Sequence, residues 1–174
     1  MFIRGNQAEN NSLLSTAEKM CVAARTAPKA RGVDKIVTGI VTSDEIEALA
    51  KEMLKLFEET GAAYFKRDSL NVTNSEAVVL IGTVGGAKGL NCGFCGYPEC
   101  KDMAQNGGHC AFDDIDLGIA IGSAVSVAAC DRVDNRVMLS AGLGAINLKL
   151  LGDKVNKILA IPLSATGKSR YFDR

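Results

Sequence analysis

Tryptophan is absent from the 174-residue chain, histidine occurs once and proline three times. One histidine excludes zinc sites built on several imidazoles and di-iron sites of the Glu-x-x-His kind. A net charge is missing too: 20 Lys and Arg face 20 Asp and Glu. That balance argues against a protein built mainly to hold nucleic acid or an anionic membrane surface. Long apolar runs are also lacking. The longest uncharged stretch, Leu117–Cys130, has 14 residues, short of the roughly 20 needed to cross a bilayer. Met1-Phe2-Ile3-Arg4-Gly5-Asn6 carries no apolar h-region, so no signal peptide is expected and the expected setting is cytoplasmic and reducing. The sequon Asn71-Val72-Thr73 is without meaning there.

What is present suits a folded domain. Hydrophobic residues make up 47% and charged residues 23%, close to globular norms. A chain of this length buries roughly 70% of its unfolded surface as one domain. Leu13, Leu14, Ala17, Met20, Cys21 and Ala24 recur at helical spacing, predicting a helix over 11–27 that Pro28 stops. Residues 36–42 are β-branched apart from Gly39 and read as a strand. Thr42-Ser43-Asp44-Glu45 reads as a capping box. The helix after it lines up Ile46, Leu49, Ala50, Met53, Leu54 and Phe57, and Gly61 ends it. Residues 66–75 are polar and read as a surface loop. Residues 77–81 are continuously apolar, as in a strand covered on both faces. Residues 115–130 predict a buried helix of small residues, close-packed against a neighbour such as a second copy of the chain. A strand over 136–140, a helix over 141–150 and a strand over 155–162 complete the pattern. Strands alternate with helices, so the class is α+β or α/β with an insert at 85–112.

The cysteines are the informative anomaly. Of six, four lie within 19 residues as Cys92-x2-Cys95-x4-Cys100-x9-Cys110. In a reducing compartment that density points to a metal or iron–sulfur site. Gly93, Gly96, Gly107 and Gly108 let bare backbone approach and aim N–H groups at sulfur. Pro98 can open a short helix, which places Cys100 in its first turn, where the dipole favours thiolate. From Cys100 to Gly107 such a helix rises about 10 Å. Cys110 can therefore return to the site only if the helix stops at the Gly107-Gly108 pair. A zinc knuckle with four thiolates is the alternative, although such knuckles usually use two Cys-x2-Cys pairs. His109 is either a neighbour of the site or a loop residue facing solvent. Lys88 and Lys101 stand near enough in sequence to tune a cluster. Asp113, Asp114 and Asp116 read as acidic partners of a helix dipole. Cys21 and Cys130 read as small hydrophobes. Gly82 to Lys88 lacks the Ser or Thr that a phosphate-binding Walker loop requires after its lysine.

Cys92-Gly93-Phe94-Cys95-Gly96-Tyr97-Pro98-Glu99-Cys100 resembles the Cys-Gly-x-Cys-Gly-Tyr-Pro-x-Cys stretch of four-iron cluster domains. Such domains occur in membrane ion-translocating ferredoxin reductases and corrinoid iron–sulfur proteins. There the fourth cysteine lies much further on; here it follows after nine residues. The whole chain, with its ending Ile161-Pro162-Leu163-Ser164-Ala165-Thr166-Gly167-Lys168, resembles the ferredoxin domain-containing family of anaerobic bacteria and archaea. That resemblance implies one [4Fe–4S] cluster on Cys92, Cys95, Cys100 and Cys110.

A second resemblance is to FMN-dependent nitroreductases. Ala23-Ala24-Arg25-Thr26-Ala27-Pro28-Lys29 is similar to their Ala-Pro-Ser turn, and Lys168-Ser169-Arg170 to the Lys-Ser-Arg that grips the FMN phosphate. Nothing between Met1 and Asn11 matches their N-terminal Arg-x-Ser-x-Arg stretch. The resemblance implies a three-layer α/β/α fold with an inserted Cys-rich loop. It also implies a homodimer with FMN at its interface, held by Arg25, Lys29, Arg31, Lys168, Ser169 and Arg170. Electrons would pass between the cluster, the flavin and a partner protein or small-molecule acceptor, and an FMN-dependent oxidoreductase activity is left open. The alternatives are a flavin-free electron carrier or docking module, a structural zinc protein, and a solvated charged tail at Lys168-Ser169-Arg170. Neither nucleic acid nor membrane is expected as a partner.

Overall fold

The computed structural model describes residues 2–172. Its elements are α1 (Gly5–Thr26), β1 (Ile36–Val41), α2 (Asp44–Thr60), α3 (Ala63–Thr73), β2 (Ala77–Thr83), α4 (Cys100–Gln105), α5 (Ala111–Cys130), β3 (Asp134–Asn135), α6 (Leu139–Asn147) and β4 (Lys157–Ser164). The four strands form one antiparallel sheet in the order β1-β2-β4-β3. Helices cover both faces. On one side Leu13, Ala17, Met20 and Ala24 of α1 and Leu117, Ala120, Ile121 and Ala124 of α5 pack on Val79, Ile81, Ile161 and Leu163. On the other, Leu49 and Met53 of α2, Val72 of α3 and Ala141 and Ala145 of α6 pack on Val78, Leu80, Ile158 and Ala160. The result is a three-layer α/β/α arrangement. The apolar run at 77–81 follows from it, because alternate residues of β2 feed opposite cores. Burying each Leu or Ile contributes about 1.5–3 kcal/mol.

Local chemistry sets the boundaries. Gly61 adopts φ 70° and donates to the Phe57 carbonyl at 2.8 Å, closing α2. Pro28 follows α1 as expected, but the helix begins at Gly5, earlier than the apolar pattern shows. Two close contacts fix the layers. A Cβ on Gly142 of α6 would lie 1.9 Å from the Ile158 carbonyl oxygen, and one on Gly39 would lie 2.8 Å from Leu151 Cδ2.

Several expectations are corrected. Residues 66–75 are mostly helix α3, not loop. The capping box does not form: Ser43, at φ 51°, takes the N-cap position without a side-chain cap, which moves Glu45 out of register. Leu54 is 40% exposed rather than on the buried face. The strand expected at 136–140 shrinks to Asp134–Asn135 plus a Met138–Ala160 bridge, and α6 starts at Leu139. β4 starts later than expected and runs through Pro162 to Ser164. Ala160 bonds outward to Met138; Pro162, two residues on, also turns its missing N–H away from β2. Helix α5 is buried on one face only, leaving Ile115 and Ile119 about 40% exposed. Cys130 at its end is exposed, while Cys21 is half-buried against the core. Burial pushes the Cys21 thiol up, partly offset by its bond with Thr38.

Candidate functional site

Residues 84–110 join β2 to α5 and hold all four clustered cysteines. Thr83 Oγ1 accepts from Gly85 N–H at 3.1 Å as the chain leaves the sheet. Asn91, at φ 48°, then makes a reciprocal pair with Cys100. Its N–H donates to Cys100 Sγ at 3.4 Å, and its side-chain oxygen accepts from Cys100 N–H at 2.8 Å. Between them Gly96 N–H donates to the Gly93 carbonyl at 2.9 Å, with both glycines at positive φ. Cys100 lies in the first turn of α4, as expected, but it opens the helix itself: Glu99 is the N-cap and Pro98 stands outside. That helix ends before Gly107, at φ 65°, and Gly108 N–H donates to the Met103 carbonyl at 2.9 Å. The break falls where Cys110 needs it. Cys110 occupies the N-cap position of α5 and is 5% exposed.

The four thiols share a loop but are not gathered. Cys92 is exposed, Cys95 and Cys100 are half-buried and Cys110 is buried. Among the described residues no three His, Cys, Asp or Glu side chains stand together as ligands of a metal ion do. The donor set itself fits an iron–sulfur cluster: four thiols on one glycine-rich loop, one already accepting a backbone N–H. His109 is exposed.

A second feature of the loop is charged and buried. Lys88 is 4% exposed, and Asp113 and Asp116 of α5 are 2% each. The Lys88 ammonium lies 2.8 Å from Asp116 Oδ2 and 3.7 Å from Asp113 Oδ1, and donates to the Val33 carbonyl at 3.0 Å. Asp116 Oδ1 accepts from Ala30 N–H at 2.9 Å. Burial pushes the Asp113 carboxyl above its usual range, partly offset by Lys35, Lys88 and Lys157. Asp113 and Asp114 lie in the first turn of α5, as expected of partners of its dipole, and Asp113 and Asp116 are in addition buried ion-pair partners of Lys88, while Asp114 is exposed and paired with Lys157. Lys88 is not a free cation aimed at the thiols. The sequence signal was Lys88 in an uncharged glycine stretch, with two acids one helical turn apart further on.

The six residues expected to hold FMN do not form one group within the chain. Arg25 donates to the Ile36 carbonyl at 2.5 Å and pairs with Asp34 at 3.1 Å. Lys29 donates to the Ala24 and Arg25 carbonyls. Arg31 donates to the Lys88 and Gly89 carbonyls at 2.9 and 3.3 Å. These three cluster where Ile36 pairs with Thr83. Lys168, Ser169 and Arg170 instead line a cavity of about 360 Å³ with Asn71 and Asn74. Arg170 donates to the Asn74 carbonyl, just ahead of Ala77. Ala77 and Thr83 end the same strand, so the two groups are about 20 Å apart along it. Within one chain the six residues thus form two groups, one at each end of β2. An apolar cavity of about 330 Å³ lies elsewhere, lined by Leu117, Gly118, Leu139, Leu143 and Ile158, with Lys157 among its polar residues. No helix among the described residues is long and apolar enough to cross a membrane.

Comparisons with known proteins agree with this geometry at the level of fold and family. Residues 106–174 match the family described as "Uncharacterized protein containing a ferredoxin domain (DUF2148)". An "Uncharacterized protein" of Archaeoglobus fulgidus is 38% identical over 183 residues, covering 100% of this chain and 98% of its own. The nitroreductase-like family protein of Bacillus cereus superposes with a TM-score of 0.62 at 11% identity, over 92% of this chain and 78% of its own. A nitroreductase family protein of Clostridium novyi covers 99% of this chain and 79% of its own, with a TM-score of 0.60 at 15% identity. A nitroreductase with bound FMN from Desulfitobacterium hafniense covers 90% and 79%, with a TM-score of 0.62 at 12% identity. The fold is nitroreductase-like.

Proposed function

The chain belongs to the family of uncharacterized proteins containing a ferredoxin domain, and from that membership we propose that it is an iron–sulfur redox protein that passes electrons to an external acceptor. Cys92, Cys95, Cys100 and Cys110 hold one [4Fe–4S] cluster, which supplies one-electron transfer when bound. The observation that carries this reading is the 84–110 loop itself: four thiols, glycine turns and an N–H already aimed at Cys100 Sγ. The exposed thiol of Cys92 must close toward buried Cys110 for all four to ligate one centre. The glycines at positive φ leave the tip room to do so.

FMN is the second cofactor in this reading, held between two copies of the chain. The FMN-bound nitroreductase of like fold supports it. So does the half-exposed apolar face of α5, with Ile115, Gly118, Ile119 and Gly122, against which a second copy can pack. Lys168, Ser169 and Arg170 meet the phosphate, because that cavity is lined by polar groups and cations. One observation favours a flavin-free carrier instead: Arg25, Lys29, Arg31 and Arg170 are already engaged within their own chain.

Protein isolated without oxygen separates the readings by its iron, acid-labile sulfide, zinc and FMN content. Four irons with sulfide and FMN support the full proposal, and iron with sulfide alone supports the carrier. Zinc in their place overturns the redox role. In Lys168→Ala and Arg170→Ala, FMN occupancy falls while iron stays; unchanged occupancy removes those residues from the flavin site.

A further inference from the structure

We propose that Lys88 is the positioning residue of the cysteine loop, tying the loop's entry to its exit so that the thiols close around a cluster on a fixed frame. The inference rests on the iron–sulfur reading. Lys88 lies four residues before Cys92, while Asp113 and Asp116 lie three and six residues after Cys110. One buried ammonium, at 3.0 Å or less from the Val33 carbonyl and Asp116 Oδ2, therefore touches the chain on both sides of the ligand set.

The segment between α1 and β1 completes the frame. Ala30 N–H donates to Asp116, Arg31 donates to the carbonyls of Lys88 and Gly89, and Lys35 donates to those of Gly86 and Ala87. Four consecutive carbonyls, 86 to 89, are thus gripped by two cations from a segment more than 50 residues earlier. Among the described residues the tip is held more lightly: by the Asn91–Cys100 pair, the Gly93–Gly96 turn and the half-exposed stacking of Phe94 on Phe112 of α5 at 5.6 Å, with no buried charge. The loop has a fixed neck and an adjustable tip.

The chemistry explains why the neck is ionic. Glycine-rich backbone offers few apolar side chains to bury, so packing cannot define this segment. A buried ion pair adds little net stability but fixes register, because any other pairing strands a charge away from water. Both Asp113 Oδ1 and Asp116 Oδ2 are buried with no aligned hydrogen-bond donor, and Lys88 is the one cation within ion-pair distance of either among the described residues. Removing it leaves Asp116 with the Ala30 N–H and Asp113 with the more distant Lys35 and Lys157 charges, beside a ligand set that is itself anionic.

The test uses the full chain as wild type, Lys88→Met, Lys88→Arg and Asp116→Asn. Amide exchange is measured on metal-free protein, and iron release to a chelator and the midpoint potential on anaerobically isolated protein. In Lys88→Met, exchange at 86–92 and 106–113 accelerates on the order of 100-fold, as expected when a buried pair is broken. Strands β2 and β4 stay protected, iron leaves faster, and the potential moves to more negative values. Lys88→Arg restores the potential. Unchanged exchange at the neck, or equal acceleration throughout β2 and β4, overturns the proposal. If Lys88→Met does not fold, Arg31→Gln takes its place: faster exchange confined to 86–92 supports the frame, and no change overturns it. Because exchange is read without metal, a wild type that never binds iron defeats the cluster reading while leaving the neck measurable.

Discussion

In β2, Val78, Val79, Leu80 and Ile81 are each 1% exposed or less, whereas between 84 and 110 only Lys88, Met103 and Cys110 are buried. The sheet is defined by shape: apolar side chains from both helical layers fill the space around it, and α6 comes so near β4 at Gly142 that a Cβ there would meet the Ile158 carbonyl oxygen. The loop is defined by polar contacts and by backbone angles that glycine adopts at little cost. The difference teaches that a cysteine-rich loop can leave a packed scaffold without contributing to either of its core clusters. Substitutions in the two regions should then fail differently.

The largest effects are expected in the packed scaffold, from Gly142→Ala and Leu80→Ala. The new methyl of Gly142→Ala meets the Ile158 carbonyl oxygen, so overpacking costs about 3 kcal/mol, read as a lower urea midpoint at an unchanged slope. Leu80→Ala costs about 2–4 kcal/mol by cavity formation, and the same denaturation curve checks it. Cys95→Ala sharpens the contrast. Iron per chain falls to near zero, while the metal-free protein unfolds within about 0.5 kcal/mol of wild type. Iron at wild-type level would break the ligand set, and a large stability loss would break the separation of loop from core.

Smaller effects test the edges of the scaffold. Tyr171 is 2% exposed, with its hydroxyl 2.9 Å from Ser75 Oγ, and burial pushes its phenol well above the usual tyrosine range. The unfolded phenol ionises near pH 10, so stability declines as pH rises past that value. Tyr171→Phe flattens the decline and costs about 1 kcal/mol below it, by thermal unfolding across pH 7–11. The smallest effect concerns Asp131, where bonds from Thr16 and Lys19 hold the carboxyl below its usual range. The folded form gives up this proton more readily than the unfolded one. The stabilisation is therefore present above about pH 4 and lost as pH falls through the folded value. Asp131→Asn should flatten the acid side of the stability profile.

Much of the scaffold was legible because side chains announced it. Ile46, Leu49, Ala50 and Met53 repeat at helical spacing, and Gly61 stops the helix they form. Helix α3 was hidden for a physical reason. Its buried positions Phe65, Asp68, Ser69 and Val72 also repeat at helical spacing, but two of the four are polar. Asp68 can be buried because Arg67 Nε donates to its Oδ1 at 2.7 Å and Ser140 Oγ, 72 residues away, to its Oδ2 at 2.6 Å. The Lys88 pairing left only the isolated lysine and two acids a helical turn apart as its signal, since opposite charges seek each other across any chain separation. In the site, the cysteine spacing and the helix break at Gly107 could be read directly. The wide separation of Arg25 from Arg170 could not, because it depends on the register of β1 against β2.

The pairing of β2 with β4 carries a consequence for biosynthesis. Ala77 waits for Leu163, and Thr83 for Lys157, so the central ladder cannot zip until Ser164 has cleared the ribosome. Every thiol of the loop is made before then. At roughly 5–20 residues per second, a nascent chain displays these cysteines for seconds with no finished scaffold beneath them, open to whatever metal donor or oxidant the cell presents.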